Sequence, residues 1–156
     1  VGSGAFPSEM EDALGNDFRE KAQEFGATTG RSRRVGWFDA VSARYSAVIN
    51  DFTSAIVNKL DMLDGLDSIK ICIGYDVDGQ IIDKFPANSQ QLEKCKPIYE
   101  ELPGWDKSTA GTTSLDQLPE TAMRYVKRIE ELIQCPVNMV STGPKREESI
   151  LLKDFM

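Results

Sequence analysis

Ser54-Ala55-Ile56-Val57-Asn58-Lys59-Leu60-Asp61 is the stretch whose reading decides the fold. Its first half is a short apolar run rich in β-branched residues, the form of a buried parallel strand, and it stops abruptly at Asn58. Asn58-Lys59-Leu60-Asp61 therefore stands at the carboxyl end of a strand. A second run of the same kind, Pro136-Val137-Asn138-Met139-Val140, ends at Ser141-Thr142-Gly143-Pro144. Between them Pro119 suits the first turn of a helix carrying Ala122, Val126, Ile129 and Ile133 at i, i+4, i+7 and i+11, a face that should pack on the sheet. Strands that end in polar motifs, with helices between them, are where an α/β sheet binds ligands.

Working outward, residues 68–75 alternate, with Ile69, Ile71, Ile73 and Tyr75 on one face, and Asp76-Val77-Asp78-Gly79 supplies a turn into Gln80-Ile81-Ile82. Residues 96–102 can add a third strand to this hairpin. Residues 103–114, rich in Gly, Ser and Thr, read as a long surface connection. Upstream, Asp17-Phe18-Arg19-Glu20 has the shape of a capping box, and the helix it starts is expected to run to Gly26. Asp39 can cap a second helix with Val41, Tyr45, Val48 and Ile49 at helical spacing and an end near Asn50. The predicted class is α/β: strands ending at Val57 and Val140 within a larger mixed, largely parallel sheet with flanking helices, and a small antiparallel hairpin subdomain over residues 67–102.

Composition sets the limits of function. A length of 156 residues, 40% of them hydrophobic and 28% charged, fits one globular domain. A net charge of -7 argues against a surface that neutralises nucleic-acid phosphates. Cys72, Cys95 and Cys135 are widely spaced, which suggests neither a disulfide framework nor a zinc site, and a reducing, cytoplasmic setting fits. No apolar run approaches the roughly 20 residues that span a bilayer, so no membrane partner is expected. The chain contains no histidine, which removes every Ser-His-Asp or Cys-His arrangement. It begins at Val1 rather than Met, as a piece of a longer chain would.

Asn58-Lys59-Leu60-Asp61 matches the N-K-x-D pattern by which GTP-binding proteins choose guanine. Guanine presents N1–H and an exocyclic amine side by side, and an ionised carboxylate at Asp61 can accept from both while the Lys59 stem lies along the base. Adenine offers no such donor pair. The alternative is a chance match with Lys59 and Asp61 as solvated loop charges. Ser141-Thr142-Gly143 follows the second strand as a companion loop whose backbone could meet the base oxygen, with Gly143 permitting close approach; a plain turn is the alternative. Arg31, Arg33 and Arg34 form a basic stretch behind Thr28-Thr29-Gly30. Arginine forks bind acid groups in bidentate fashion, so the stretch suits an anion with more than one of them, and partnership with acidic helices is the alternative. Asp76-Val77-Asp78-Gly79 lacks the remaining ligands of a calcium loop, and Gly2-Ser3-Gly4 continues to Pro7 rather than to a third glycine.

Together these stretches resemble the adenylosuccinate synthetase family. The resemblance rests on Val1 to Pro7, Phe25 to Asp39, Lys59 to Asp67 with Ile69 to Cys72, Leu102-Pro103-Gly104-Trp105 and Ser141 to Pro144, in that order along nearly the whole chain. It implies a GTP-driven ligation of L-aspartate to IMP, giving adenylosuccinate in AMP biosynthesis, by a cytoplasmic homodimer that uses magnesium. By resemblance, Ala27, Thr28, Thr29, Gly30, Arg31, Ser32 and Arg33 hold aspartate, with Arg31 also reaching IMP and Arg33 reaching GTP. Lys59, Leu60 and Asp61, with Ser141, Thr142 and Gly143, match the GTP-binding motifs. The chain is then the C-terminal portion, residues 1–156, of a single synthetase domain. The phosphate loop, the catalytic aspartate and histidine and the Mg2+ ligands would lie in an N-terminal part, so no catalytic residue or metal ligand is expected here. Ser32 stands where the family often has proline, and Asn58 where threonine is expected. A non-catalytic guanine-nucleotide-binding module is the competing reading, and an α/β interaction domain with a partner-gripping arginine loop is a third.

Overall fold

The computed structural model describes residues 4–153; Val1, Gly2 and Ser3, which open the resemblance, lie outside them. Its helices are α1 (Ala13–Lys21), α2 (Ala40–Ile49), α3 (Ser89–Glu93) and α4 (Glu120–Ile133). Its strands are β1 (Phe38–Asp39), β2 (Ala55–Val57), β3 (Leu66–Val77), β4 (Gln80–Ile82), β5 (Lys96–Trp105), β6 (Val137–Ser141) and β7 (Ser149–Leu151). These divide into a first unit, Val1–Val41 with Lys70–Glu100, and a second, Ser42–Ile69 with Glu101–Met156. The class is α/β as expected.

In the second unit the apolar spacing after Pro119 becomes α4, and the side chains of Ala122, Tyr125, Val126, Ile129 and Ile133 are buried. Each large one contributes about 2 kcal/mol through removal from water. α4 packs on β6, and Glu130 on the same helix accepts the Val137 N–H at 2.8 Å, fixing where β6 begins. The order of this sheet is β2-β6-β7, with β2 parallel and β7 antiparallel to β6. β7 has no counterpart in the sequence reading, since three residues give no period to recognise. The β2 register slips by one between Ala55 and Ile56, leaving Asn138 as the extra residue of β6; its carbonyl takes the Leu152 and Lys153 N–H groups at 2.7 and 3.3 Å.

Two expectations for this unit need correction. β2 is not buried on both faces: Ile56 is 47% exposed, and among the described residues β6 is its one strand neighbour. On α2, Val41 and Ala47 are buried, whereas Tyr45, Val48 and Ile49 are 46%, 72% and 60% exposed. The helix itself stands where its apolar spacing put it. Residues 103–105 also belong to β5 rather than to a loop, and Gly104 is the reason: a Cβ there would lie 1.7 Å from the Leu66 carbonyl oxygen.

In the first unit β3 carries the hairpin. Asp78 and Gly79, at φ 54° and 87°, make the turn to β4, and Val77 pairs with Gln80. β5 also pairs with β3, as the sequence allowed, and β1 runs parallel to it through Phe38–Ile71 and Asp39–Cys72. The core holds Val41, Cys72, Tyr75, Val77 and Cys95, packed by Ile82, Phe85, Leu92 and Tyr99. Tyr75 donates its hydroxyl to Asp39 at 2.7 Å. All three cysteines are free and buried, and burial pushes the Cys72 thiol up to about 12.

Helix α1 starts and stops earlier than expected. Its cap is Asp12, whose carboxylate accepts the Gly15 N–H at 3.0 Å, so Asp17 lies inside the helix. Gly15 permits this start, since a Cβ would sit 2.3 Å from the Met10 carbonyl oxygen. The helix ends at Lys21 because Gln23 takes the left-handed conformation and Glu24 N–H returns to the Arg19 carbonyl at 2.9 Å. Gly26 is left to serve the loop that follows.

Candidate functional site

β2 and β6 run side by side in the same direction, with Val57 opposite Val140. The two motifs singled out in the sequence therefore leave the sheet from neighbouring strand ends at the same level, the position where open α/β sheets receive ligands. After Val57 the chain turns sharply: Lys59 adopts φ 60° and ψ 40°, and a 3-10 turn over Leu60–Leu63 follows at once. Gln23, Asp51 and Gln134, also left-handed, follow helices, and Asp78 lies in the hairpin turn. Lys59 has neither excuse, which marks it as a backbone held in place by its surroundings. Leu60, 1% exposed, plugs the turn into the interior and the turn packs on β6, so the Asp61 side chain is 9% exposed while Asn58 and Lys59 stay in solvent.

The companion loop is fixed by its middle residue. Thr142 is fully buried; its hydroxyl donates to the Thr112 carbonyl at 2.6 Å, its N–H to the Glu148 carbonyl at 2.9 Å, and its own carbonyl accepts Gly111 N–H at 3.0 Å. Ser141 and Gly143 on either side remain partly exposed, and the Ser141 hydroxyl donates to the Gly143 carbonyl at 3.0 Å. A Cβ on Gly143 would come 2.4 Å from Glu148 Oε2, so the loop has no room for a larger residue without moving that side chain.

The arginine loop, in the first unit, is a closed tip. Gly26 N–H donates to the Arg31 carbonyl and Gly30 N–H to the Gly26 carbonyl, both at 2.8 Å, and Phe25 and Ser32 bridge in antiparallel fashion. Gly30 sits at φ 65°, a conformation side chains resist, and Ala27, Thr28, Thr29 and Gly30 are exposed. The three arginines have separate fates. Arg34 forks onto Glu9, lies 5.4 Å from the centre of the Phe6 ring and reaches the Gly4 carbonyl, so its role is internal; its hydrogen bond holds the Glu9 carboxyl below the usual range. Arg33 pairs with Glu24 at 2.9 Å, remains 46% exposed and lines a hollow of about 470 Å³ with Phe6, Glu24, Arg34, Val35 and Gly36. Arg31 is exposed, and among the described residues its guanidinium has no partner; its N–H donates to Thr29 Oγ1 at 3.3 Å.

Asp64, in the second unit, was not singled out. One carboxylate oxygen accepts Trp105 Nε1 at 2.7 Å and Thr109 Oγ1 at 2.8 Å, the other Ser108 Oγ at 2.9 Å and Thr109 N–H at 2.7 Å. Burial alone would raise its pKa, but these four donors outweigh it and hold the carboxyl below the usual range. Among the described residues there is no group of three or more His, Cys, Asp or Glu side chains that could hold a metal ion.

The family model described as Adenylosuccinate synthetase matches residues 1–150. The chain belongs to the adenylosuccinate synthetase family. It is 51% identical over 154 residues to the adenylosuccinate synthetase of Geotalea uraniireducens and 50% identical over 153 to that of Streptococcus sanguinis. These matches cover 99% and 98% of this chain but 36% of each relative. Among solved structures, the fully ligated adenylosuccinate synthetase from Plasmodium falciparum aligns with a TM-score of 0.91 at 34% identity, over 98% of this chain and 37% of that one. The chain thus spans a little over a third of the length of the synthetases it matches.

Ser32 and Asn58, where the resemblance leads one to expect proline and threonine, disturb none of the backbone bonds that close the two loops. The bonds that close the arginine loop come from the N–H groups of Gly26, Gly30 and Arg33 rather than from that of Ser32, so serine in place of proline spares them. Asn58 is exposed just ahead of the left-handed Lys59. The one signal that could have drawn attention to Asp64 is its place inside Lys59-Leu60-Asp61-Met62-Leu63-Asp64-Gly65, which the resemblance already covered.

Proposed function

We propose that this chain serves the GTP-dependent ligation of L-aspartate to IMP by reading the guanine of GTP and holding aspartate, while the remaining length of the synthetase supplies the chemistry on the phosphates. In that reaction the γ-phosphoryl group passes from GTP to the 6-oxygen of IMP; the aspartate amine then displaces phosphate, giving adenylosuccinate, GDP and phosphate. The Asp61 carboxylate accepts guanine N1–H and the 2-amine together, Lys59 lies along the base, and Leu60 anchors the turn. Ser141, Thr142 and Gly143 bound the other side, Thr142 through the backbone position it fixes. A site built this way rejects adenine by roughly 10⁴, because the carboxylate would be left desolvated without donors.

The observation that carries the reading is the parallel register of Val57 with Val140, which brings Asp61 and Ser141–Gly143 to one end of one sheet. On the arginine loop, Arg31 is the side chain available for the carboxylates of L-aspartate and for IMP, and Arg33 for GTP, once it exchanges Glu24 for a ligand. Ala27, Thr28, Thr29, Gly30 and Ser32 complete the aspartate pocket with hydroxyl and backbone groups. Mg2+ belongs, on this reading, to the N-terminal part. The exposed stripe of Tyr45, Val48 and Ile49 supports contact with that part, since the family's polypeptide is nearly three times as long as the segment matched here. A cytoplasmic homodimer is the family-based expectation for the parent protein, and no helix among the described residues is long and apolar enough to cross a membrane.

Titrating the intact chain with GTP and with ATP tests the guanine half. Binding of GTP with no comparable binding of ATP is expected; equal binding of both would sink it. Adenylosuccinate formation by the chain alone, followed at the ultraviolet absorbance of the product, is expected to be undetectable, and turnover would overthrow the division of labour. A guanine-binding module without catalytic partnership is the competing reading. Restoration of turnover on adding the remainder of a relative would decide against it.

A further inference from the structure

The two guanine-reading motifs are tied to each other by a third segment, residues 108–112, that neither motif contains. At one end Ser108 Oγ, Thr109 N–H and Thr109 Oγ1 all donate to the Asp64 carboxylate. Asp64 belongs to the turn that Asp61 opens, and its N–H returns to the Asp61 carbonyl at 3.3 Å. At the other end Gly111 N–H donates to the Thr142 carbonyl, and the Thr142 hydroxyl donates to the Thr112 carbonyl at 2.6 Å. In the middle Thr112 N–H closes on the Thr109 carbonyl at 3.1 Å, with Gly111 at φ 71°, so the segment is one tight turn rather than a slack connection. Thr109 and Thr142, the two hydroxyls that terminate it, are completely buried.

We propose that residues 108–112 form a positioning bracket that sets the spacing between Asp61 and Ser141–Gly143, and that guanine selectivity depends on it through Asp64 and Thr142. The proposal rests on the guanine reading above. A carboxylate and a backbone loop can grip opposite sides of one base only if their separation is held to a fraction of an ångström, and neither motif sets that separation alone. A side chain that merely fills space needs no hydroxyl: the isosteric valine fills it as well. Here each hydroxyl is aimed at a partner on the neighbouring segment, and Asp64 has all four of its acceptor positions occupied, in keeping with its lowered pKa. Hydrogen bonds of this kind add direction more than cohesion.

The test measures GTP and ATP affinity of the 156-residue chain by equilibrium dialysis, with thermal midpoints recorded in parallel. Thr109→Val removes one donor and keeps the volume; Thr109→Ser restores the hydroxyl; Ile129→Val, in the α4 face, supplies a loss of stability away from the bracket. We expect Thr109→Val to reduce the ratio of GTP to ATP affinity by about tenfold, the effect of one mispositioned hydrogen bond, with Thr109→Ser close to wild type and Ile129→Val without effect on the ratio. Ser108→Ala, at an exposed site that leaves folding intact, should lower the ratio by about threefold. Wild-type preference for GTP that survives both Thr109→Val and Ser108→Ala would overturn the bracket and leave the guanine reading standing. So would a loss of preference that merely tracks the thermal midpoint in Thr109→Val and Ile129→Val alike. A wild-type chain indifferent between GTP and ATP would remove the guanine reading and the bracket together.

Discussion

The arginine loop and the pair of strand-end motifs are built on opposite plans. Residues 26–31 close on themselves through backbone bonds and leave their side chains in water. Residues 58–61 and 141–143 are instead held by a plug, Leu60, and by a buried hydroxyl, Thr142, whose partners lie far away in the chain. An exposed tip can wait for a mobile dicarboxylate and adjust to it. On the proposed reading, a flat base gripped by hydrogen bonds on two edges needs donors and acceptors fixed beforehand, and the buried anchors Leu60 and Thr142 suit that need.

That contrast is sharpest at Asp61. Asp61→Asn replaces an acceptor-only group by one that also donates, so up to roughly 10⁴ in guanine-over-adenine selectivity should disappear. Competition between labelled GTP and cold ATP measures it, and an unchanged ratio would return Asp61 to the role of a structural charge. Next in size is Gly104→Ala, which forces a methyl group into the Leu66 carbonyl. A loss of about 3 kcal/mol or more is expected in urea denaturation. A variant of normal stability would mean that the β5 end is slack and the locked half of the comparison wrong.

Asp64→Asn should cost about 2 kcal/mol, because it leaves buried donors of Trp105 and Thr109 facing an amide. It also carries a pH signature. The folded carboxyl lies below its ordinary value of 3.8, so its stabilisation is present above that value and drains away as the pH falls through the lower, folded one. Acid titration of wild-type stability should therefore show a fall below pH 3.8 that is shallower in the variant. The smallest effects separate the arginines. Arg34→Leu is expected to lower the thermal midpoint by a few degrees by breaking the fork to Glu9. Arg31→Leu should leave the midpoint unchanged and abolish detectable response to L-aspartate; the reverse pattern would mean that the loop was sorted wrongly.

What the sequence disclosed follows from the range of the forces involved. α4 was legible because Ala122, Val126, Ile129 and Ile133 report a local period that tertiary packing then used. Asn58 to Asp61 was legible as a strand-end turn because a β-branched run precedes it. On α2 the period of Val41, Tyr45, Val48 and Ile49 reported the helix, but nothing local says which of these side chains are covered. The capping box at Asp17 was a pattern without its structure: the true start at Asp12 depends on Gly15 meeting the Met10 carbonyl, a contact of shape rather than pattern. The Asp64 network was invisible for a plainer reason. Its donors lie more than forty residues away, at separations of 41, 44 and 45.

Among the described residues β2 has one strand beside it, so the amides and carbonyls along its other side form an open row. Such a row is a template for any extended polypeptide of suitable length. Kept by itself at high concentration, this chain should therefore drift toward fibrillar stacks that bind thioflavin, and a lysine at position 56 should slow that conversion by charging the template where it is most inviting.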